Sequence, residues 1–115
     1  MNEPDAVTAL AALAQESRLA VYRLLVQRGP GGYPAGEISE QLAIPGPTLS
    51  FHLKELAVAG LVSARKDGRF NYYSPNFERM RALVAYLTDN CCSLAVTCAP
   101  ECATPVATRR KGKSA

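Results

Sequence analysis

The sequence predicts one domain that is mainly α-helical and carries a single β-hairpin, which is an α+β fold class. Apolar residues recur with helical spacing over most of the chain up to residue 60, and again after residue 76. Between these regions the pattern alternates on both sides of an Asp-Gly pair, which is typical of a hairpin. A chain of 115 residues has room for one modest core and little room for a large enzyme cleft.

Two helices are predicted before residue 29. The first begins near Asp5 and is rich in alanine, and the helical pattern breaks near residues 15–17. The second covers Glu16–Arg28 and has apolar residues on more than one face, so we expect it to be buried on several sides. The Gly-Pro-Gly-Gly run at 29–32 ends it, because both residue types interrupt helices.

A short helix, a tight turn and a longer helix follow. We predict the short helix over Ala35–Leu42 and the turn over residues 43–46. Pro47 suits the first turn of the next helix, where the N–H that proline lacks has no helical partner, and Gly60 is a natural stop at its end. One side of this longer helix carries Leu49, Leu53, Leu56 and Gly60.

The hairpin and a last helix complete the order. Strands are predicted over residues 61–65 and 69–73, on either side of a Lys-Asp-Gly turn at 66–68 in which the Asp-Gly pair takes positive φ. Pro75 ends the second strand. The last helix is predicted over Phe77–Asn90, and its apolar stripe consists of Phe77, Met80, Val84 and Leu87, with Leu83 beside it.

This order of elements is that of a winged helix-turn-helix, in which the second of two short helices enters the major groove of DNA. The outer faces of that helix carry side chains that can contact base edges, a thymine methyl group or phosphate, and the hairpin tip is basic, which suits phosphates. The candidate DNA-binding residues are Thr48, Ser50, Phe51, His52 and Lys54 on the helix, and Arg65, Lys66 and Arg69 on the hairpin.

Taken one by one, these residues also fit an ordinary solvated surface. His52 alone fits a partly buried, hydrogen-bonded histidine, and Phe51 fits packing under the hairpin as well as contact with a base or sugar. The net charge of +3 does not decide the matter, because four basic residues follow Cys102 and residues 1–102 together carry −1. Any DNA-binding surface is therefore local.

Four stretches of the sequence carry a resemblance to a known family; they are residues 17–19, Ile38–Leu42, Thr48–Leu56 and Ala59–Val62. Over about residues 5–92 the chain resembles the ArsR/SmtB family of metal-sensing repressors. The resemblance implies a homodimer that pairs its first and last helices and binds pseudo-palindromic double-stranded DNA, with half-sites about one helical turn apart. It places base contacts on Thr48, Ser50, Phe51 and His52, and dimer contacts on the stripes Val7/Leu10/Leu13 and Met80/Leu83/Val84/Leu87.

All four cysteines of the chain lie within twelve residues near its C-terminal end. This clustering favours a soft-metal or redox site over disulfides that staple the fold. The short helix has no cysteine and the last helix has no histidine, so two other ligand positions used in the family are absent. The Cys91-Cys92 pair followed by Cys98 resembles the C-terminal arsenite site of one branch of the family.

Trivalent arsenic and antimony are soft centres that bind three thiolates, and soft ligands select soft centres. The sequence therefore predicts an As(III) or Sb(III) site at Cys91, Cys92 and Cys98, with Cys102 as the alternative third ligand. An unbroken helix would place Cys98 about 10 Å beyond Cys91 along the axis, which is too far for one ion. The helix must therefore end near Cys92, and residues 93–97 must fold back. We expect binding to shift the last helix and weaken DNA binding.

Other interpretations of the cysteines stay open. Exposed thiols with a resolving partner form a redox switch, and four thiolates could hold zinc or cadmium, although adjacent cysteines fit a tetrahedral site less well. Cys91 and Cys92 alone could hold a methylated arsenical. A metalloid carrier that does not bind DNA is a further alternative, and it leaves the recognition helix unexplained. No enzyme is expected, because no anion-binding loop surrounds Cys91.

The chain divides into three predicted parts: a DNA-binding and dimerisation domain at 1–92, a sensor segment at 93–102 and a disordered basic tail at 103–115. The N-terminus carries Glu3 and Asp5 and does not resemble a signal peptide. No apolar run approaches the roughly 18 residues that span a bilayer. We therefore expect a cytoplasmic protein with no membrane partner and no organic cofactor.

Overall fold

A computed structural model describes residues 1–94 of the chain. Five helices and three strands follow one another as α1 (Glu3–Leu13), α2 (Glu16–Arg28), β1 (Tyr33–Pro34), α3 (Ala35–Leu42), α4 (Gly46–Val58), β2 (Val62–Asp67), β3 (Phe70–Pro75) and α5 (Phe77–Thr88). The predicted α+β class, with a helix-turn-helix followed by a hairpin, is confirmed. The predictions for Cys98, Cys102 and the basic tail lie outside the described residues.

The break between the first two helices comes from side chains that cap them. Asn2 Oδ1 accepts a hydrogen bond of 2.9 Å from the Asp5 N–H, so α1 begins two residues earlier than predicted. At the break Gln15 has extended backbone angles, and its side-chain oxygen accepts a hydrogen bond of 2.9 Å from the Arg18 N–H. The α2 helix then has the predicted bounds.

The turn between α3 and α4 is one residue shorter than predicted. Residues 43–45 form it, with Ala43 in the left-handed region at φ 53°, and α4 begins at Gly46. The Ser39 hydroxyl donates to the Ile44 carbonyl across this turn. This contact fixes the direction in which the chain leaves α3 and enters α4.

The three strands form an antiparallel sheet in the order β1-β3-β2. The predicted hairpin is present, but its turn lies one residue later than expected. Asp67 pairs with Phe70, so the two loop residues are Gly68 and Arg69, with glycine at the first position at φ 64°. The strand β1 was not predicted, because two residues beside a Gly-Pro run show no alternation.

The core lies where the helices meet the base of the hairpin. The α1 helix buries an alanine face, which allows it to approach its neighbours closely. Burial also raises the pKa of Tyr22 on α2. The largest fully buried side chains are Leu25, Ile38, Leu49, Leu56, Leu61 and Val21.

The predicted dimer stripes divide between this core and the surface. Leu83 is buried, and Leu13 and Met80 are partly buried against the core. The remaining members, Val7, Leu10, Val84 and Leu87, are between 41 and 58% exposed. Among residues 1–94, nothing covers the apolar surface that these side chains form on α1 and α5. Within residues 1–94, no helix is long and apolar enough to cross a membrane.

Candidate nucleic-acid interface and thiol pair

The α4 helix presents a polar face with one aromatic residue to solvent. Leu49, Leu53 and Leu56 bury the opposite side. Four of the five residues predicted to contact DNA from this helix are exposed, and Phe51 is 56% exposed. These four are Thr48, Ser50, Phe51 and Lys54.

His52 is the fifth residue, and its position differs from the prediction. It is only 7% exposed, because it follows Leu49 by three positions and precedes Leu56 by four, on the face that packs inward. Its Nδ1 atom lies 3.4 Å from a terminal nitrogen of Arg18. This burial favours the alternative of a buried, hydrogen-bonded histidine over the predicted base contact. The helical spacing of the leucines in the sequence already indicates that His52 lies on the buried face.

Arg18 joins α4 to the end of α1. Its Nε donates a hydrogen bond of 2.7 Å to the Ala12 carbonyl, in the last turn of α1, while its terminal nitrogen faces His52. A cation at this end of a helix also interacts favourably with the helix dipole. The Arg18–His52 contact therefore fixes α4 relative to the two N-terminal helices.

The tip of the hairpin is exposed and basic, as the sequence predicts. Arg65, Lys66 and Arg69 all face solvent. The Arg65 guanidinium lies 5.1 Å from the centre of the Tyr72 ring and donates a 3.5 Å hydrogen bond to the Gly31 carbonyl, so it is held along the side of the hairpin. Phe70, which sequence reasoning missed, is 58% exposed beside the turn. The only feature of the sequence that indicates this exposure is the position of Phe70 next to the hairpin loop.

The base of the hairpin is anchored to the loop after α2. Arg28 Nε donates a 3.2 Å hydrogen bond to the Gly32 carbonyl, and its guanidinium lies 5.1 Å from the centre of the Tyr33 ring. Gly32 has φ 76°, and a Cβ atom there would lie 2.7 Å from the Tyr73 carbonyl oxygen. This close approach lets β1 pair with β3 and fixes the hairpin relative to α2.

Two thiols lie immediately after α5. The helix ends at Thr88, and positive φ values at Asn90 and Cys92 turn the chain away from the helical path. The helix thus ends before the cysteines, as a site with three thiolates requires. The Sγ atoms of Cys91 and Cys92 are 3.4 Å apart.

This separation suits a shared soft ion. Two sulfurs that each bind one ion at about 2.3 Å, the zinc–thiolate distance, lie within about 4.6 Å of each other. Within residues 1–94 no group of three His, Cys, Asp or Glu side chains is arranged to hold a metal. A third thiolate at Cys98 or Cys102 would come from outside the described residues.

Comparison with known proteins identifies the class of this chain. Residues 13–64 match a family described as a helix-turn-helix domain. The chain is 44% identical over 63 residues to a helix-turn-helix transcriptional regulator of Bacillus subtilis. The matched region is 55% of this chain and 62% of that protein. It is 36% identical over 76 residues to the arsenical resistance operon repressor of Staphylococcus aureus, which covers 66% of this chain and 70% of the repressor.

The chain belongs to the ArsR/SmtB family of winged-helix transcriptional regulators. Its fold matches the homodimeric winged helix-turn-helix DNA-binding domain of a Mycobacterium bovis protein described as a possible ArsR-family transcriptional regulator. The TM-score is 0.62 and the identity 30%, over 76% of this chain and 81% of that one. These relatives are transcriptional regulators. The helix-turn-helix match, residues 13–64, ends before the thiol pair of this ArsR-family protein.

Proposed function

We propose that this ArsR-family protein is a homodimeric repressor that leaves its operator when As(III) or Sb(III) binds its C-terminal thiolates. The observation that carries the proposal is the 3.4 Å separation of Cys91 and Cys92 at the end of a helix that also bears an uncovered apolar face. The arsenical resistance function of the Staphylococcus aureus relative supports a metalloid as the inducer.

The DNA contacts are assigned to two exposed surfaces. The outer face of α4 enters the major groove, where Thr48, Ser50 and Phe51 contact bases and Lys54 contacts the phosphate backbone. The hairpin contacts backbone phosphates through Arg65, Lys66 and Arg69. His52 is left out of both sets, because its burial directs it into the protein.

The uncovered faces of α1 and α5 are assigned to the dimer interface. Their exposed apolar residues need a partner surface, and the Mycobacterium bovis relative is homodimeric. A two-fold dimer presents two copies of α4 to one face of DNA, which matches a pseudo-palindromic operator read in the cytoplasm.

The third thiolate of the metalloid site is assigned to Cys98, with Cys102 as its substitute. Cys91 and Cys92 supply the other two thiolates from the end of α5. Because α5 also bears dimer residues, binding of the ion shifts α5 and changes the spacing of the two α4 helices.

The test is fluorescence anisotropy of the reduced protein on its own promoter fragment, titrated with arsenite and antimonite. We expect release from DNA by both ions, lost in Cys91→Ser and Cys92→Ser and weakened in Cys98→Ser or Cys102→Ser, whichever removes the third ligand. The matched control is Ser93→Ala beside the thiol pair, which we expect to respond as the wild type does.

A thiol redox switch is the second candidate, and the short distance between the two Sγ atoms favours it specifically. Parallel titrations with peroxide and zinc separate the candidates. Release by peroxide and not by arsenite would make the protein a redox repressor. Release by zinc alone would assign a zinc or cadmium sensor, and absence of DNA binding would leave only the carrier alternative.

A further inference from the structure

Three helices meet at the C-terminal end of α4. The Gly60 N–H donates to the Ala57 carbonyl and the Leu61 N–H to the Leu56 carbonyl, at 2.9 and 3.0 Å, and Gly60 has φ 81°. This pair of bonds is a Schellman motif that closes the helix. The Leu61 carbonyl then accepts a hydrogen bond of 2.7 Å from the N–H of Asn76, the residue that caps α5. The end of α4 and the beginning of α5 are thus directly bonded.

Arg79 on α5 lies across this junction. A Cβ atom on Gly60 would lie 3.2 Å from Arg79 Nε and 3.5 Å from its Cζ, so the guanidinium packs directly against the glycine. The Nη2 atom of Arg79 lies 3.9 Å from Asp5 Oδ1 on α1. One side chain therefore contacts the end of α4 and α1 while its backbone belongs to α5.

The charge of Arg79 suits its position. The last turn of α4 contains no basic residue, although the carbonyl end of a helix carries a partial negative charge. Arg79 supplies the cation from another helix. Its Nε is buried and has no hydrogen-bond partner within residues 1–94. Packing and the long ion pair therefore hold the guanidinium, and it follows α5 when that helix moves.

We propose that Arg79 is the positioning residue that transmits movement of α5 to the recognition helix α4. The proposal rests on the proposed function, in which an ion bound at the C-terminal end of α5 releases DNA. The twelve residues of α5 form a rod about 18 Å long. The thiol pair lies at one end of this rod and Arg79 in the first turn at the other, where a shift changes the contact with Gly60.

The test compares Arg79→Met with Arg81→Met, which removes the same charge from an exposed site on the same helix. Three quantities are measured: arsenite affinity of the free protein, operator affinity without arsenite and operator affinity with saturating arsenite. Binding of a ligand at one site typically changes the affinity at a second site by about 5- to 150-fold. We expect arsenite to lower operator affinity by a factor in this range in the wild type and in Arg81→Met. In Arg79→Met we expect it to lower operator affinity by less than about threefold, while the arsenite affinity of the free protein is unchanged.

A purely structural role for Arg79 gives a different result. Arg79→Met would then unfold at a lower temperature while the ratio of the two operator affinities stayed as in the wild type, and that outcome overturns the proposal. Arg79→Lys keeps the charge and the length, and we expect it to recover part of the release. Full loss of release in Arg81→Met as well would also overturn the proposal, because the effect would then belong to net charge.

Hydrogen exchange tests the junction without arsenite. We expect the amides of Gly60 and Leu61 to exchange faster in the apo form of Arg79→Met than in the wild type or Arg81→Met, because the packing over the end of α4 is lost. Equal rates in all three proteins overturn the inference. A wild type that ignores arsenite while Gly60 and Leu61 exchange faster in Arg79→Met overturns the proposed function and leaves the role of Arg79 at α4 supported.

Discussion

At the scale of single residues, the Arg18–His52 pair shows how a polar contact orients a recognition helix from inside the protein. The Arg18 side chain reaches the Ala12 carbonyl of α1 and the Nδ1 atom of His52 on α4, at 2.7 and 3.4 Å. Removal of His52 would leave a partly buried guanidinium without one of its partners, at a cost of about 1–3 kcal/mol. We therefore expect the pair to affect DNA binding through the angle of α4 rather than through a base contact.

Two amide substitutions at His52 distinguish positioning from base reading. The Asn side-chain oxygen lies near the place of His Nδ1 and can accept from Arg18, whereas the polar end of Gln reaches the place of Nε2. We expect His52→Asn to keep operator affinity within about threefold, and His52→Gln and His52→Ala to lower it about tenfold, or about 1.4 kcal/mol. The measurement is fluorescence anisotropy on the operator fragment at several salt concentrations.

The salt dependence provides the control for this experiment. Lys54→Met removes an exposed cation from the same helix, and we expect it to reduce the slope of log affinity against log salt by about one. The His52 variants should leave that slope unchanged. An Asn variant as weak as the Ala variant, with altered preference at one base pair, would return His52 to the DNA-reading set.

At the scale of elements, the bounds of two helices could be predicted from local signals, whereas the start of α1 and the hairpin turn were misplaced by one or two residues. The strand that depends on a distant contact was missed. The bounds of α2 and α3 follow from a Gly-Pro run, a short turn and helical spacing, and the structure has them as predicted. The β1 strand exists only because Tyr33 pairs with Tyr73, forty residues away. The spacing of the leucines on α4 indicates that His52 is buried. No local pattern indicates its contact with Arg18, which is 34 residues away in the sequence.

Gly32 is the residue on which the pairing of β1 depends. A Cβ atom at this position would come within 2.7 Å of a backbone oxygen, and φ is 76°, so Gly32→Ala must strain the backbone or separate β1 from β3. We expect Gly32→Ala to lower the free energy of unfolding by about 1–3 kcal/mol, measured by urea denaturation. The hairpin should also become less firmly anchored, and operator affinity should fall.

Gly31→Ala is the matched control for Gly32, because a Cβ atom on Gly31 would meet no atom within 4 Å. We expect this neighbour to change the stability by less than about 0.5 kcal/mol. Equal stability of the two variants would mean that the β1–β3 contact relaxes without cost, and it would remove the argument that this glycine fixes the hairpin.

At the scale of the whole molecule, residues 1–94 expose two surfaces that suit binding partners. One is the exposed face of α4 together with the basic hairpin, a local cluster of cations in a region, residues 1–102, whose net charge is −1. The other is the apolar face of α1 and α5, where Val84 is 49% and Leu87 57% exposed. In the proposed function, DNA and a second copy of the chain complement these two surfaces. The two requirements are then linked, because we expect affinity for a two-part operator to need both protomers.

Val84→Asp tests that link. A carboxylate in the centre of an apolar interface carries a desolvation cost that a two-fold dimer incurs twice. We expect sedimentation equilibrium to show a dimer for the wild type and a folded monomer for Val84→Asp, with operator affinity lower by at least about 100-fold because the two half-sites no longer bind as one unit. Leu19→Asp on α2 changes a residue of similar exposure, 44%, and should remain dimeric. A dimeric Val84→Asp beside a monomeric Leu19→Asp would move the interface to α2, and α5 would then lose its role as the helix that connects the thiols, the partner subunit and the DNA.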